Sequence, residues 1–184
     1  MDAGHPGGYT LLELLAVVAI LSIAAIVAIP SSHPVAEARA DAAASEVALA
    51  LKFARDDARR TGQERLFGCQ EGLNQISVRP IVSTGPDAGV SPLYVDHPAS
   101  RAPYVVTLAS TPAGNTMALT RCTFTFADNT SAATVAFDAA GNPVRGLGKA
   151  AMRTQALRSG TVVLGAGNTT RTVVVDTSGR ITIS

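Results

Sequence analysis

The stretch Gly8-Tyr9-Thr10-Leu11-Leu12-Glu13 stands directly ahead of an apolar run that ends at Ile29-Pro30. From Leu11 to Ile29 the only polar side chains are Glu13 and Ser22. At about 1.5 Å of rise per residue, a helix of this length crosses the roughly 30 Å hydrocarbon core of a bilayer. Because a carboxylate inside a membrane helix costs on the order of 2.5–3.5 kcal/mol on insertion scales, Glu13 needs a partner or a function there.

Two ordinary alternatives compete with a functional reading of this segment. A secretory signal peptide has a basic start, an apolar stretch of about 7–15 residues and a small-residue cleavage site. Here the run is longer, carries an acid near its start and has no Lys or Arg before it, although Ala38-Arg39-Ala40 offers a small-residue site. A simple single-pass anchor is the other alternative. The Lys/Arg bias does not set an orientation, since Arg39 is the nearest basic residue and lies beyond the run.

The string Gly-aromatic-Thr-Leu-x-Glu resembles the prepilin leader of type IV pilins and type II secretion pseudopilins. In that family a membrane peptidase cuts after the Gly, the new N-terminus is N-methylated, and a Glu occupies its fifth position. The resemblance implies cleavage between Gly8 and Tyr9, N-methylation of Tyr9 and an assembly role for Glu13. Pro30 matches the family's proline near the end of the membrane segment and implies a helix kink. The chain departs from the pattern in having Tyr where Phe is usual and no Lys or Arg in residues 1–8.

The family reading gives Glu13 a physical role. Cleavage frees an α-amino group on Tyr9 with a reference pKa of about 7.7–8.0, and methylation keeps its charge. Four residues separate Tyr9 from Glu13, which is about 6 Å of helix rise. We therefore expect Glu13 of one subunit to pair with the Tyr9 amine of its neighbour and to set subunit register.

The 184 residues allow one ordinary domain plus an anchor. We expect a prepilin leader over 1–8, a transmembrane helix over 9–29, an amphipathic helix over 30–62 and a periplasmic β-rich head over 63–184. The net charge of +1 argues against a protein that binds nucleic acid over its whole surface. The charge is uneven, however, because residues 141–184 hold six basic side chains against Asp176 alone.

The segment after the proline has helical periodicity. Its apolar positions recur every three or four residues and predict one stripe that packs on the head: Ala40, Ala43, Val47, Leu51, Ala54 and Ala58. Asp56 and Arg60 have the spacing of an i,i+4 ion pair, and Gly62 is a plausible stop. The stretch 51–62 resembles the helix end of the GspH/FimT group, which includes H-type pseudopilins and FimT/FimU-like minor pilins. The fold class expected is α+β, with a long N-terminal helix packed on an antiparallel β-rich, pilin-like head.

Beyond Gly62 the pattern changes to short β-type runs with Gly, Pro and Asn between them. The strands predicted from this pattern are Gln75–Val82, Tyr104–Leu108, Arg121–Phe126, Thr134–Asp138, Thr161–Leu164, Arg171–Asp176 and Arg180–Ile183. The resemblance to the GspH/FimT group implies a first strand at Arg65–Cys69. The segment 83–103 is rich in Pro, Gly, Ser and Ala and predicts a long surface loop. Asp138 with Gly141, and Asp176 with Gly179, share a turn pattern that joins antiparallel strands.

Cys69 and Cys122 are the only cysteines, and they fall in the part expected to be periplasmic. In an oxidising compartment such a pair is more often a structural disulfide than a redox site, and no C-x-x-C motif is present. Closing a loop of about 50 residues stabilises a fold by around 4 kcal/mol in the chain-entropy model.

No catalytic or cofactor-binding constellation emerges from the sequence. His5, His33 and His97 are scattered and show no metal-ligand spacing. The glycines of 141–148 lack the Gly-Lys-Ser/Thr ending of a phosphate-binding loop. We therefore expect neither an enzyme nor a metal or other cofactor.

The cationic C-terminal third suggests one sharper function. Some FimT-like minor pilins bind DNA through a C-terminal Gly-Arg-x-Arg motif, and this chain has Gly179-Arg180-Ile181-Thr182, without the second arginine. Arg171 and Arg180 are the candidate contacts to DNA, with the steep salt dependence of phosphate binding. The competing interpretation is a solvated basic face.

The resemblance thus implies a minor pseudopilin of the type II secretion system, held in the bacterial inner membrane with its head in the periplasm. Its partners would be other pseudopilins or pilins, the prepilin peptidase/N-methyltransferase and inner-membrane lipid. The first alternative is a FimT/FimU-like type IV minor pilin that serves pilus assembly or DNA binding in natural transformation. The second is a surface-binding module tethered by the helix, for which Glu13 would be dispensable.

Overall fold

The computed structural model describes residues 10–28, 32–83, 87–111 and 117–184. It divides into two compact units, which meet in sequence between Val35 and Ala36. Three α-helices are present in the described part: α1 (Leu11–Ala28), α2 (Ser32–Thr61) and the short α3 (Ala150–Arg153). The kink expected at Pro30 lies outside the described residues.

Helix α2 forms because small and apolar side chains repeat along one face. The predicted stripe is fully buried from Ala40 to Ala58, and the same face also buries Ala44 and Ala50. The helix ends where predicted, since Gly62 has a φ of +68° and donates its N–H to the carbonyl oxygen of Ala58 across 2.9 Å. That geometry is a left-handed C-terminal cap, which glycine adopts without strain.

Twelve described strands form two antiparallel sheets. Their bounds are β1 (Arg65–Gln70), β2 (Gln75–Ser83), β3 (Asp87–Val90), β4 (Val105–Thr107), β5 (Ala118–Phe126), β6 (Ser131–Ala132), β7 (Thr134–Phe137), β8 (Pro143–Val144), β9 (Gly148–Lys149), β10 (Leu157–Ala166), β11 (Thr169–Val175) and β12 (Ile181–Ile183). The first sheet has the order β8-β7-β1-β2-β3-β9, with β4 also paired to β2, and the second has the order β12-β11-β10-β5-β6.

The main core lies where α2 packs on the two sheets, as the predicted α+β class requires. Its largest fully buried side chains are Phe67, Phe124, Phe126 and Phe137, with Leu51 from the helix. Side chains alternate across a strand, so Phe67 and Cys69 join this core. Leu66 and Gly68 are the alternate positions of β1 and lie on the outer face of the first sheet.

Each of the predicted strands is confirmed, with ends that move by a few residues. The prediction of a continuous surface loop over 83–103 is wrong, because β3 (Asp87–Val90) occupies part of it. Val90 and Gly89 pair there with Ile81 and Val82 of β2. The turn-like composition concealed the strand, since backbone pairing to a neighbouring strand does not require apolar alternation.

Candidate functional site

The start of α1 is fixed by a threonine cap. The Thr10 hydroxyl accepts a hydrogen bond from the Glu13 N–H at 3.3 Å, and the Thr10 carbonyl accepts from the same N–H at 3.0 Å. Thr10 and Glu13 have the Thr-x-x-Glu spacing of a capping box, and the carboxylate lies in the first turn, where the helix dipole favours negative charge. Glu13 thus lies in the first turn of α1. Gly8 and Tyr9, where cleavage is expected, lie outside the described residues.

Helix α1 exposes apolar side chains on all sides of its described part. Leu11 and Leu12 are 84% and 81% exposed, and Leu14, Leu15, Ile20 and Leu21 are more than half exposed. Ser22 donates its hydroxyl to the carbonyl oxygen of Val18 at 2.7 Å. Large exposed apolar surfaces mark sites of contact with another apolar phase or partner. In the portions of the chain that the structure describes, no helix has the combined length and hydropathy needed to cross a membrane.

Near its C-terminal end, α2 binds the two predicted turns through two arginines that lie one helical turn apart. Arg55 donates from Nη1 to the carbonyl oxygen of Gly179 at 3.0 Å, and Arg59 donates from Nε to the carbonyl oxygen of Ala140 at 2.9 Å. Both arginines belong to the stretch that resembles the GspH/FimT helix end. In this chain, those residues hold the helix to both hairpins.

The turns themselves are built as predicted around Asp138 and Asp176. The Asp138 carboxylate accepts from the N–H groups of Ala140 and Asn142 at 2.9 and 2.7 Å. The Asp176 carboxylate accepts the Ser178 hydroxyl at 2.6 Å and the Arg180 N–H at 3.0 Å. These bonds, led by that of Ser178, hold the pKa of Asp176 below its usual value.

A buried ion pair joins the end of α2 to the start of β1. Arg65 donates from Nε to Asp57 at 2.6 Å, and both side chains are almost wholly buried. Arg60 also reaches Asp57, at 2.5 Å, so the predicted Asp56–Arg60 pair is wrong. Asp56 pairs instead with Arg55 at 2.9 Å. Asp57 forms these pairs because its side chain faces β1, where both Arg60 and Arg65 reach it. The Asp56 side chain faces solvent instead.

The two sheets are linked covalently by the expected disulfide between Cys69 of β1 and Cys122 of β5. The Cys122 N–H also donates to the Glu71 carboxylate at 2.7 Å, and the Leu119 N–H donates to the Asn74 side chain at 2.8 Å. The 3₁₀ turn Glu71–Leu73 therefore holds β5 by hydrogen bonds beside the covalent link.

Residues 6–29 match the family model described as the prokaryotic N-terminal methylation motif. The structure is similar to that of the minor pseudopilin EpsH from the type 2 secretion system of Vibrio cholerae, with a TM-score of 0.53 at 11% sequence identity, over 79% of this chain and 96% of that one. The chain has a prepilin-type N-terminus and a pilin-like fold. A second EpsH structure gives a TM-score of 0.51 at 11% identity, over 80% of this pilin-like chain and 94% of that one.

A further likeness is to the type IV minor pilin FimU of Pseudomonas aeruginosa strain PAO1, with a TM-score of 0.46 at 14% identity, over 79% of this chain and 87% of that one. No curated protein matches the sequence. The prepilin-type motif implies membrane anchoring and processing by a prepilin peptidase, as the leader resemblance predicts.

The pilin-like head does not bring the two candidate DNA-binding arginines together. Arg171 pairs with Asp41 of α2 at 2.5 Å, and this contact raises the pKa of Arg171. Arg180 lies in the turn after β11, where its carbonyl oxygen accepts the Asp176 N–H, whereas Arg171 lies opposite Leu164. Five residues of extended backbone separate Arg171 from Asp176, about 16 Å. Among the residues described, no group of His, Cys, Asp and Glu is placed to hold a metal ion.

Three sets of contacts that stabilise this fold were not predicted from the sequence. The Thr10 cap had a visible signal in its Thr-x-x-Glu spacing. The Arg55 and Arg59 contacts to the turns had only the family-like string as a signal. The buried Asp57–Arg65 pair had none, because the sequence does not show how the helix end meets the strand.

Proposed function

We propose that this chain is a minor pseudopilin of the type II secretion system, which assembles with other pseudopilins into a periplasmic pseudopilus that drives protein export. One observation carries the proposal: the methylation motif over 6–29 precedes a head with the fold of EpsH, whose similarity covers 96% of that protein. The cysteine pair supports a periplasmic head, because structural disulfides persist in oxidising compartments.

Processing would begin at the leader. The prepilin peptidase cuts between Gly8 and Tyr9 and its methyltransferase activity methylates the Tyr9 amine. The apolar helix then holds the subunit in the inner membrane until it enters the filament. The Thr10 cap supports this order of events, since it keeps the first turn of α1 formed directly after the cleavage point.

Assembly would then depend on the Glu13 carboxylate. It is exposed at the first turn of a helix whose described surface is apolar, so in a bundle of such helices its charge requires a cationic partner. The Tyr9 amine of a neighbouring subunit is the group that processing creates at nearly the same depth. Leaving one charge of a buried pair without its partner costs about 3–5 kcal/mol.

The test replaces Glu13 with valine. The Glu13→Val chain should lose its leader at the normal rate, seen as the mass of the mature N-terminus, yet fail to co-purify with sheared filaments. Glu37→Val, a matched change at an exposed position of α2, should assemble normally. Normal incorporation of Glu13→Val alongside its partner subunits would exclude this role of Glu13 in assembly.

A type IV minor pilin that binds DNA is the competing assignment. It predicts that duplex DNA binds the purified chain at low salt, that Arg180→Ala abolishes binding and that Arg171→Ala weakens it. The secretion assignment predicts no such dependence, because Arg171 serves the contact with Asp41. Genes for a secretin and further pseudopilins beside this one would favour secretion, and a minor-pilin cluster would favour the pilus.

A further inference from the structure

The outer face of the first sheet carries an open depression at its centre. Gly68 of β1 lies opposite Ser77 of β2 on one side and Thr134 of β7 on the other, so three small residues share one register at this point of the face. The depression has a volume of about 170 Å³ and is walled by larger residues: Leu66, Gln70, Arg79, Val90 and Leu147. An apolar cavity of about 150 Å³ accepts benzene, so this one has room for a leucine or phenylalanine side chain.

Among the described residues, one half of this face is covered and the other half is open. Leu66, Ile81 and Ala136 form a small buried cluster, against which Val144 and Leu147 pack. Leu147 lies at the border between this covered cluster and the depression, because it contacts both. Gly68, Ser77 and Thr134 on the open half are only partly buried.

Arg79 gives the depression a charge preference. Its guanidinium lies 4.2 Å from the centre of the Tyr94 ring and donates a hydrogen bond to the Tyr94 hydroxyl. Of the ion pairs formed by the described side chains, none involves Arg79, so no described carboxylate lies within 4.0 Å of it. A half-buried guanidinium held in place by an aromatic ring favours a carboxylate partner, since its planar donors match that group.

We propose that this depression receives an apolar side chain of leucine or phenylalanine size from an extended segment of a neighbouring filament subunit, with an aspartate or glutamate two positions later on the same face of that segment. The apolar side chain fills the space above Gly68, and the acid pairs with Arg79 at the wall. The identity of the donor as a filament subunit rests on the proposed function. The chemistry of the occupant rests on the volume, the register of small residues and the charge of Arg79.

The first test uses the full chain in detergent and two blocked peptides, Ser-Leu-Ser-Glu-Ser and Ser-Leu-Ser-Gln-Ser, with binding followed by amide chemical shifts. The acidic peptide should shift the amides of Gly68, Ser77 and Thr134. The glutamine peptide should bind roughly two- to tenfold more weakly, because it lacks the charge-assisted bond. Arg79→Met should remove that difference between the peptides, and Arg121→Met, at an exposed arginine of β5, should leave it intact.

The second test fills the depression. Thr134→Leu should abolish peptide binding while the thermal unfolding midpoint stays near that of the unmodified chain. Thr123→Leu makes the same change at a half-buried threonine of β5 that does not line the depression, and should bind normally. Equal binding of the two peptides to the unmodified chain, or full binding to Thr134→Leu, would overturn the proposal. Concentration-dependent shifts of the same amides without peptide would also overturn it, in favour of a second copy of this chain.

The peptide experiments and the filament experiment test separate claims, so either claim can be wrong without the other. Glu13→Val should bind the peptides like the unmodified chain, because Glu13 belongs to α1 and not to the depression. If the unmodified chain does not enter filaments while the peptide tests succeed, the proposed function fails and the binding depression stands. If the peptide tests fail while Glu13→Val is excluded from filaments, the reverse holds.

Discussion

Arg59 on α2 donates a hydrogen bond from its Nε to the carbonyl oxygen of Ala140, 81 residues further along the chain, across 2.9 Å. The next residue, Gly141, has a φ of +79°, and a Cβ added there would lie 2.1 Å from the same Nε. The helix and the turn therefore meet so closely that a side chain at 141 would occupy the position of the guanidinium.

Substitution of Gly141 by alanine should destabilise the head through two separate effects. The left-handed backbone costs a non-glycine residue about 1–2 kcal/mol, and displacing Arg59 loses a hydrogen bond to a charged donor, worth about 1.5–3 kcal/mol. Gly167→Ala isolates the first effect, because Gly167 has a φ of +58° with no atom within 4 Å of an added Cβ. Denaturant unfolding of the detergent-solubilised chains should show the larger loss for Gly141→Ala, and equal losses would contradict the close contact.

Removal of the Asp57 carboxylate should cost far more than removal of Asp56. Asp57→Ala leaves Arg65 buried without its counter-ion, for which about 3–5 kcal/mol is expected. Asp56 is 61% exposed and pairs only with its neighbour Arg55, so Asp56→Ala should change the free energy of unfolding by less than about 1 kcal/mol. The two denaturation midpoints measure this difference, and similar midpoints would show that the Asp57–Arg65 contact is not formed.

Loss of the disulfide should destabilise the head by around 4 kcal/mol in the chain-entropy model, because the bond closes a loop with a sequence separation of 53. Cys69→Ser combined with Cys122→Ser should unfold at lower denaturant than the oxidised chain. The reduced unmodified chain is the matched control and should unfold close to the double variant. Coincident curves for all three would mean that the hydrogen bonds that Cys122 and Leu119 donate to Glu71 and Asn74 suffice to hold β5.

Tyr104 should make the head sensitive to alkali. Burial, followed by the charge of Glu46, raises the pKa of Tyr104 from 10.0 to about 12. In the unfolded chain the phenol loses its proton near pH 10, whereas in the folded chain it keeps it. Stability that is complete below pH 10 should therefore fall as the pH rises toward about 12. Tyr104→Phe should remove this part of the decline, measured as the unfolding midpoint between these pH values.

The parts of the fold that depend on neighbouring residues were predictable from sequence. Asp138 and Asp176 bind backbone groups within four residues, so their turns appear in the local pattern. The α2 stripe and the strands follow from helical and β-type periodicity. The stop at Gly62 is equally local.

Features that depend on the relative placement of distant elements were not predictable. Asp56 and Asp57 have equivalent charges and adjacent positions, and only the approach of β1 decides that Asp57 holds Arg65. The depression requires the register of three strands, because Gly68, Ser77 and Thr134 are far apart in sequence. The pair of Arg171 with Asp41 likewise depends on the packing of α2 beside β11, which the sequence does not show.

The contact between Arg55 and Gly179 also bears on how the head is made. These residues are 124 positions apart, and β12 at Ile181–Ile183 pairs with β11 at the edge of the second sheet directly after Gly179. Contacts of such long sequence separation slow folding, since the loop between them must close before they form. During synthesis α2 is finished long before its partner turn exists. The head can therefore reach its final state only after β12 has emerged, and a chain interrupted before Gly179 would leave Arg55 without its acceptor and β11 as an open edge.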